Sequence, residues 1–288
     1  MDTVTLTILA LTGVQVAAYA TCIGLARQLL PGAPDLYFAA DAIYGLWYYP
    51  LVSVLASMSC WQLYSTVLTR WAGVTSETQL VGPLLVSRMV VHVPYLFLKG
   101  RKEDIQMRPM YLFHHFVVIA AYGLGAYRGK LHFWGAGFAL CEWTNVFLTV
   151  IEIFACCEKR VRERWRLLYK WNSLFFGLSY CIVRLILLPV FFVWAIMDLC
   201  YRPEPMKIAI PAELCLYPLC ELLIFGLSVR WSVPVIRGTI RTVFEIKDPA
   251  RRLVNAAEVA VEAAAAVAVS GGPSDDSKRL PGERHKTQ

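Results

Sequence analysis

Four polar residues sit where a bilayer-length apolar segment tolerates them least. Glu142, Asn145, Thr149 and Glu152 recur at steps of three, four and three within residues 133–157. That spacing gathers them on one face of a single helix. A carboxylate near the middle of a membrane costs of the order of 3 kcal/mol or more on insertion scales. The face is therefore expected to look at protein rather than lipid. Two adjacent histidines, His114 and His115, lie near the start of another apolar segment. A neutral imidazole can exchange a proton near neutral pH, so such a pair is a candidate for acid–base chemistry. Arg88, His92, Arg184 and Glu221 complete the polar set inside apolar stretches.

The elements that must position these residues are membrane spans. The chain has 288 residues, of which 57% are hydrophobic and 17% charged; its mean hydropathy is +0.51. Soluble domains average about 45–50% apolar and about 25% charged residues. A polytopic membrane protein is the class this composition allows. The seven segments that qualify are 4–26, 41–66, 77–98, 110–127, 133–157, 169–199 and 208–233, each close to the ~20 apolar residues a bilayer core needs. The second, rich in Tyr, Trp and Ser, fits least well. The first has no basic segment before it and is read as a retained span.

Charge in the connecting loops alternates. Arg27, then Lys99, Arg101, Lys102 and Arg108, then the run from Lys159 to Lys170, then Arg237 to Arg252 fall on one side. The other side has only Arg70, Arg128, Lys130, Arg202 and Lys207. The positive-inside rule makes the first side cytosolic, with a lumenal N-terminus and a cytosolic C-terminus. The net charge of +7 is thus read as topology, and no nucleic-acid partner is expected. Residues 254–270, rich in Ala and Val, are expected to form a weak cytosolic helix before a disordered tail. No repeated half is visible.

On a ruler of 1.5 Å per residue, Glu142, Arg184 and Glu221 lie about 21, 22 and 18 Å from the cytosolic side. This layer suggests a Glu142–Arg184 ion pair, joined by Glu221, that either serves a site or simply locks helices together. His114, His115, His92 and Glu152 lie about 6–9 Å deep and form a second, cytosol-proximal layer. Arg88 lies one turn from His92, and the two read more readily as structural. Neighbouring helix positions point about 100° apart, so His114 and His115 are not expected to share a site easily. Cys156 and Cys157, at the cytosolic end of their span, are candidates for palmitoylation. The nine cysteines lack metal-ligand spacing, and no metal or cofactor is expected. A phosphate loop, a GxSxG elbow and an HExxH motif are all missing from the sequence.

The order of these motifs is similar to that of one family. Phe113-His114-His115-Phe116 follows a basic loop, Glu142-Trp143-Thr144-Asn145-Val146-Phe147 lies on the next span, and Phe176, Arg184-Leu185 and Pro189 on the one after. This resembles the TLC domain over roughly residues 36–238, leaving 1–35 as a first helix and loop and 239–288 as a cytosolic extension. The resemblance implies an all-α transmembrane bundle in the endomembrane system, in the endoplasmic reticulum or a related membrane. It implies either of two functions. One is lipid homeostasis, by binding lipid or tuning membrane composition. The other is acyl transfer from acyl-CoA to a long-chain sphingoid base, as in ceramide synthases, with His114 and His115 catalytic. The synthases carry aspartates where this chain has Glu142 and Asn145, which favours the first. Membrane lipids are the expected partners, and a homodimer is compatible with either reading.

Overall fold

A computed structural model describes residues 2–244, apart from the side chains of Glu103 and Asp104. The extension expected at 254–270 and the tail beyond it lie outside the described residues. All regular structure among the described residues is helical. The long elements are α1 (Thr3–Leu29), α2 (Leu36–Leu63), α4 (Ser76–Leu98), α5 (Lys102–Arg128) and α12 (Pro211–Phe244). Short helices α3 (Val67–Ala72), α8 (Lys159–Arg164) and α11 (Glu204–Ile208) lie in the connections. The fifth expected span is two helices, α6 (His132–Ala139) and α7 (Glu142–Cys156). The sixth is α9 (Arg166–Ser179), a π-helical segment (Tyr180–Leu187) and α10 (Leu188–Tyr201) in continuous succession.

Six of these units are long and apolar enough to cross a membrane: Thr3–Leu29, Ser76–Leu98, Ile105–Arg128, His132–Cys156, Arg166–Tyr201 and Pro211–Phe244. The seventh expected span, α2, has 28 residues, about 42 Å at helical rise, but falls outside that group. Its position explains the composition. It packs against α1, α4, α6 and α7, and Tyr44, Tyr48, Val52 and Ala56 are fully buried along it. A helix among protein neighbours needs less apolar surface than one surrounded by lipid.

Caps fix where the helices begin. Asp35 accepts from the Phe38 backbone N–H at 2.9 Å and from Gly100 N–H at 2.7 Å, which starts α2 and ties it to the end of α4. Thr75 and Thr78 form a reciprocal capping box on α4. Gly129 closes α5 at φ 63°, a conformation glycine adopts without a Cβ clash. Prolines inside α2, α4, α5 and α12 are tolerated because neighbouring helices and side chains re-satisfy the freed carbonyls. At the opposite end of the bundle, Arg70 forks onto Asp198 at 2.7 and 2.9 Å. Trp71 Nε1–H donates to the same carboxylate at 3.0 Å.

Candidate functional site

The cluster begins on three helices. Arg88 and His92, four residues apart, share one face of α4, with Lys99 at its end. Asp41 lies on α2 and His115 on α5. Asp41 Oδ1 accepts a hydrogen bond from Arg88 Nη2, and Oδ2 accepts from Lys99 Nζ at 2.6 Å. His92 Nε2 lies 3.1 Å from the same Oδ2. On its other side, His92 Nδ1 lies 2.8 Å from His115 Nε2, and the two rings stack at 5.1 Å between centroids. Arg88 is 2% exposed, with its guanidinium over the Tyr44 ring at 4.5 Å. A buried arginine is costly unless paired and hydrogen-bonded, and Asp41 supplies both. Arg88 and His92, expected as structural, thus stand within the cluster.

Asp41 was not among the residues expected here, and Lys99 was expected only as a loop charge. The reason is a boundary. The expected span began at residue 41, whereas α2 begins at Leu36. That shift places Asp41 about 7.5 Å into the helix, level with His92, which lies about 9 Å from the end of α4. An aspartate near the start of an apolar helix, at the depth of two histidines, was the available signal.

The layer of Glu142 and Arg184 sits at a helix discontinuity. Between α6 and α7 the backbone winds through i→i+3 bonds, among them Cys141 N–H to Phe138 O at 3.1 Å and Thr144 N–H to Cys141 O at 3.2 Å. Such winding turns the chain about 20° further per residue than an α-helix. Glu142 opens α7 and accepts from Asn145 Nδ2 at 2.7 Å, an acidic group at a helix N-terminus where the dipole favours it. Arg184 lies in the π-helical segment. Its Nε donates to Thr144 Oγ1 at 2.9 Å and its Nη2 to Cys141 O at 3.3 Å.

Three expectations for this layer are corrected. Glu142 and Arg184 form no ion pair among the described residues. The ruler assumed one straight helix over 133–157; instead α7 starts at Glu142, which takes Asn145 one turn on as its partner, and Arg184 takes Thr144 and the Cys141 carbonyl at the break. Glu221 does not join them. It is 3% exposed and borders a separate void of about 20 Å³ with Trp134 and Tyr217. Thr149 leaves the polar row: it is buried at the contact of α7 with α2, where a Cβ on Gly45 would lie 2.5 Å from its Oγ1.

Both layers line one cavity of about 560 Å³. Arg88, His92, His114 and His115 stand on its wall with Glu142, Asn145, Glu152 and Arg184. Apolar walls come from Val118, Leu148, Ile151 and Ile224. The cavity-facing arc of α7 runs through Leu148 and Glu152, which leaves Thr149 at its edge. Despite their angular separation, His114 and His115 both reach the cavity, with ring centroids 5.8 Å apart, because the space wraps around that face of α5. Glu152 also borders a hollow of about 270 Å³ with Arg101 and Phe38. Cys156 is 4% exposed, so of the two adjacent cysteines Cys157 is the more accessible. Among the described residues no three His, Cys, Asp or Glu side chains are grouped to hold a metal ion.

An all-helical bundle with membrane-length apolar helices around a polar internal cavity defines an integral membrane protein. The profile of the TLC domain matches residues 37–237, and the chain belongs to the TLC-domain family. No curated protein and no solved structure matches it. Membership of this family associates the protein with membrane lipids.

Proposed function

We propose that the protein acts in membrane lipid homeostasis by holding a lipid in the cavity, within an endomembrane such as the endoplasmic reticulum. The observation that carries this reading is the cavity itself, about 560 Å³ and lined by charged and neutral polar groups within a bundle of membrane-length helices. Buried polar groups inside a bilayer are costly and mark sites of function. A lipid fits this lining: its chain meets Leu148, Ile151 and Ile224, and its polar part meets the histidines, Glu142, Asn145 and Arg184. The test is lipidomics of cells lacking the protein, rescued with wild type or with His114→Ala/His115→Ala. A changed lipid class that only the wild type restores supports the reading; an unchanged lipidome contradicts it.

One observation favours a second reading, acyl transfer from acyl-CoA to a long-chain amine. His115 is hydrogen-bonded to His92, which is in turn held by Asp41, an order suited to a general base. In this reaction the amine nitrogen bonds to the acyl carbon and the carbon–sulfur bond breaks. The imidazole takes the amine proton, and the departing thiolate is protonated. The purified protein should then form amide from acyl-CoA and a long-chain base. Each histidine substitution should lower the rate about 10²–10⁴-fold at unchanged protein level. A folded wild type that makes no amide across chain lengths excludes this reading and leaves the first in place.

A further inference from the structure

Resting on the reading that a lipid occupies the cavity, we propose that this lipid presents an O–H or N–H donor to Nδ1 of His115, and that Asp41 and His92 position that imidazole as an acceptor. The argument is a count of hydrogens along one chain of contacts. A carboxylate only accepts. Asp41 Oδ2 stands 3.1 Å from His92 Nε2, so that nitrogen carries the hydrogen. A neutral imidazole has one donor and one acceptor nitrogen. His92 Nδ1 is therefore the acceptor, and His115 Nε2, 2.8 Å away, carries the hydrogen between them. The remaining nitrogen of His115, Nδ1, is left with a bare lone pair.

The charged groups around Asp41 support this order. Lys99 Nζ and Arg88 Nη2 both donate to its carboxylate and supply its counter-charge, so His92 is needed only as a neutral donor. Lys99 Nζ lies 3.3 Å from His92 Nε2, the geometry of two donors converging on one oxygen. The reverse order would set a lone pair of His92 against the Asp41 carboxylate.

The end of the chain is where the ligand is read. His115 is 5% exposed and lines the cavity, and its Nδ1 is buried without a hydrogen-bond partner among the described residues. A buried acceptor left unpaired is unfavourable. A ligand that donates a hydrogen bond satisfies it; an ether or ester oxygen meets it lone pair to lone pair. The class selected is a lipid with a free hydroxyl or an N–H in its polar part. Asp41 and His92 are positioning residues: they touch His115, not the lipid.

The full chain in lipid nanodiscs is titrated with two matched pairs, 1-hexadecanol against its methyl ether, and N-hexadecylacetamide against its N-methyl derivative. Each pair differs by one donor hydrogen, and the two pairs separate O–H from N–H recognition. We expect at least one donor to bind about tenfold more tightly than its methylated partner. Nitrogen NMR of isotope-labelled histidine, assigned with His115→Gln, should show His115 protonated at Nε2 and not at Nδ1. His92→Phe removes the acceptor for that Nε2–H; it should abolish both the single tautomer and the preference for the donor. The wild-type measurements decide alone if that variant does not fold. Equal affinity within both pairs, or a proton on Nδ1 in the wild type, overturns the donor assignment while leaving lipid binding intact. Binding of none of the four probes overturns the lipid reading and the assignment with it.

Discussion

Asp198 holds Arg70 by a two-pronged contact, and each side chain is less than a tenth exposed. Removing the carboxylate leaves Arg70, among the described residues, the Tyr64 carbonyl at 2.9 Å and a ring contact to Trp194 at 4.7 Å. Breaking a buried pair in this way costs about 3–5 kcal/mol. Asp198→Ala should therefore lower the unfolding temperature of the detergent-purified protein sharply, whereas an exposed pair such as Lys159–Glu163 should be nearly silent when broken. An Asp198→Ala protein that unfolds at the wild-type temperature would refute the pairing. The sequence offered Arg70 only as a sparse loop charge and Asp198 not at all, because partners more than a hundred residues apart leave no periodic signature. His92 and His115 differ in this respect. Their matching depths on consecutive helices made one layer legible, and only the contact between them needed the structure.

At the scale of elements, α2 and α7 meet at Gly45. A Cβ there would lie 2.5 Å from Thr149 Oγ1 on α7 and 2.8 Å from the ring of Tyr49, one turn further along α2, so both side chains would have to shift. Small residues permit this kind of close approach between membrane helices. Gly45→Val is expected to destabilise by about 1–3 kcal/mol through overpacking. Thr149→Ala should partly restore the milder Gly45→Ala but add nothing on its own, a coupling readable in a double-mutant cycle of thermal stabilities. Strict additivity would show that the two residues do not meet. Most helices were legible from apolar length, since a bilayer dictates it. The discontinuity at 140–141 and the π-helical winding at 180–187 were not. No proline marks the first; Pro189 stands two residues beyond the second and withholds an N–H from the Leu185 carbonyl, but a proline does not by itself specify π-winding, and a depth ruler carries a rotational error across each. That is why a Glu142–Arg184 pair looked reasonable and why the two residues take other partners.

For the whole molecule, the alternating loop charges assign sides to the bundle. If α2 crosses with the six more apolar units, the N-terminus is lumenal and the C-terminus cytosolic. Glycosylation acceptors engineered at each end should be modified at the N-terminus alone; modification at the C-terminus instead would invert the topology. Lys99, Arg101 and Asp35 then lie at the cytosolic end, and the cavity runs from the Asp41 cluster toward Arg184 within the membrane. The central claim is that this cavity holds a lipid. Leu148 lies on its apolar wall, and Leu148→Trp fills space without removing a polar side chain. The direct measurement is the lipid retained by protein purified in mild detergent, quantified by mass spectrometry for wild type and Leu148→Trp at matched thermal stability. We expect a defined lipid class with the wild type and a severalfold loss with the variant. Equal retention by both proteins would contradict the account.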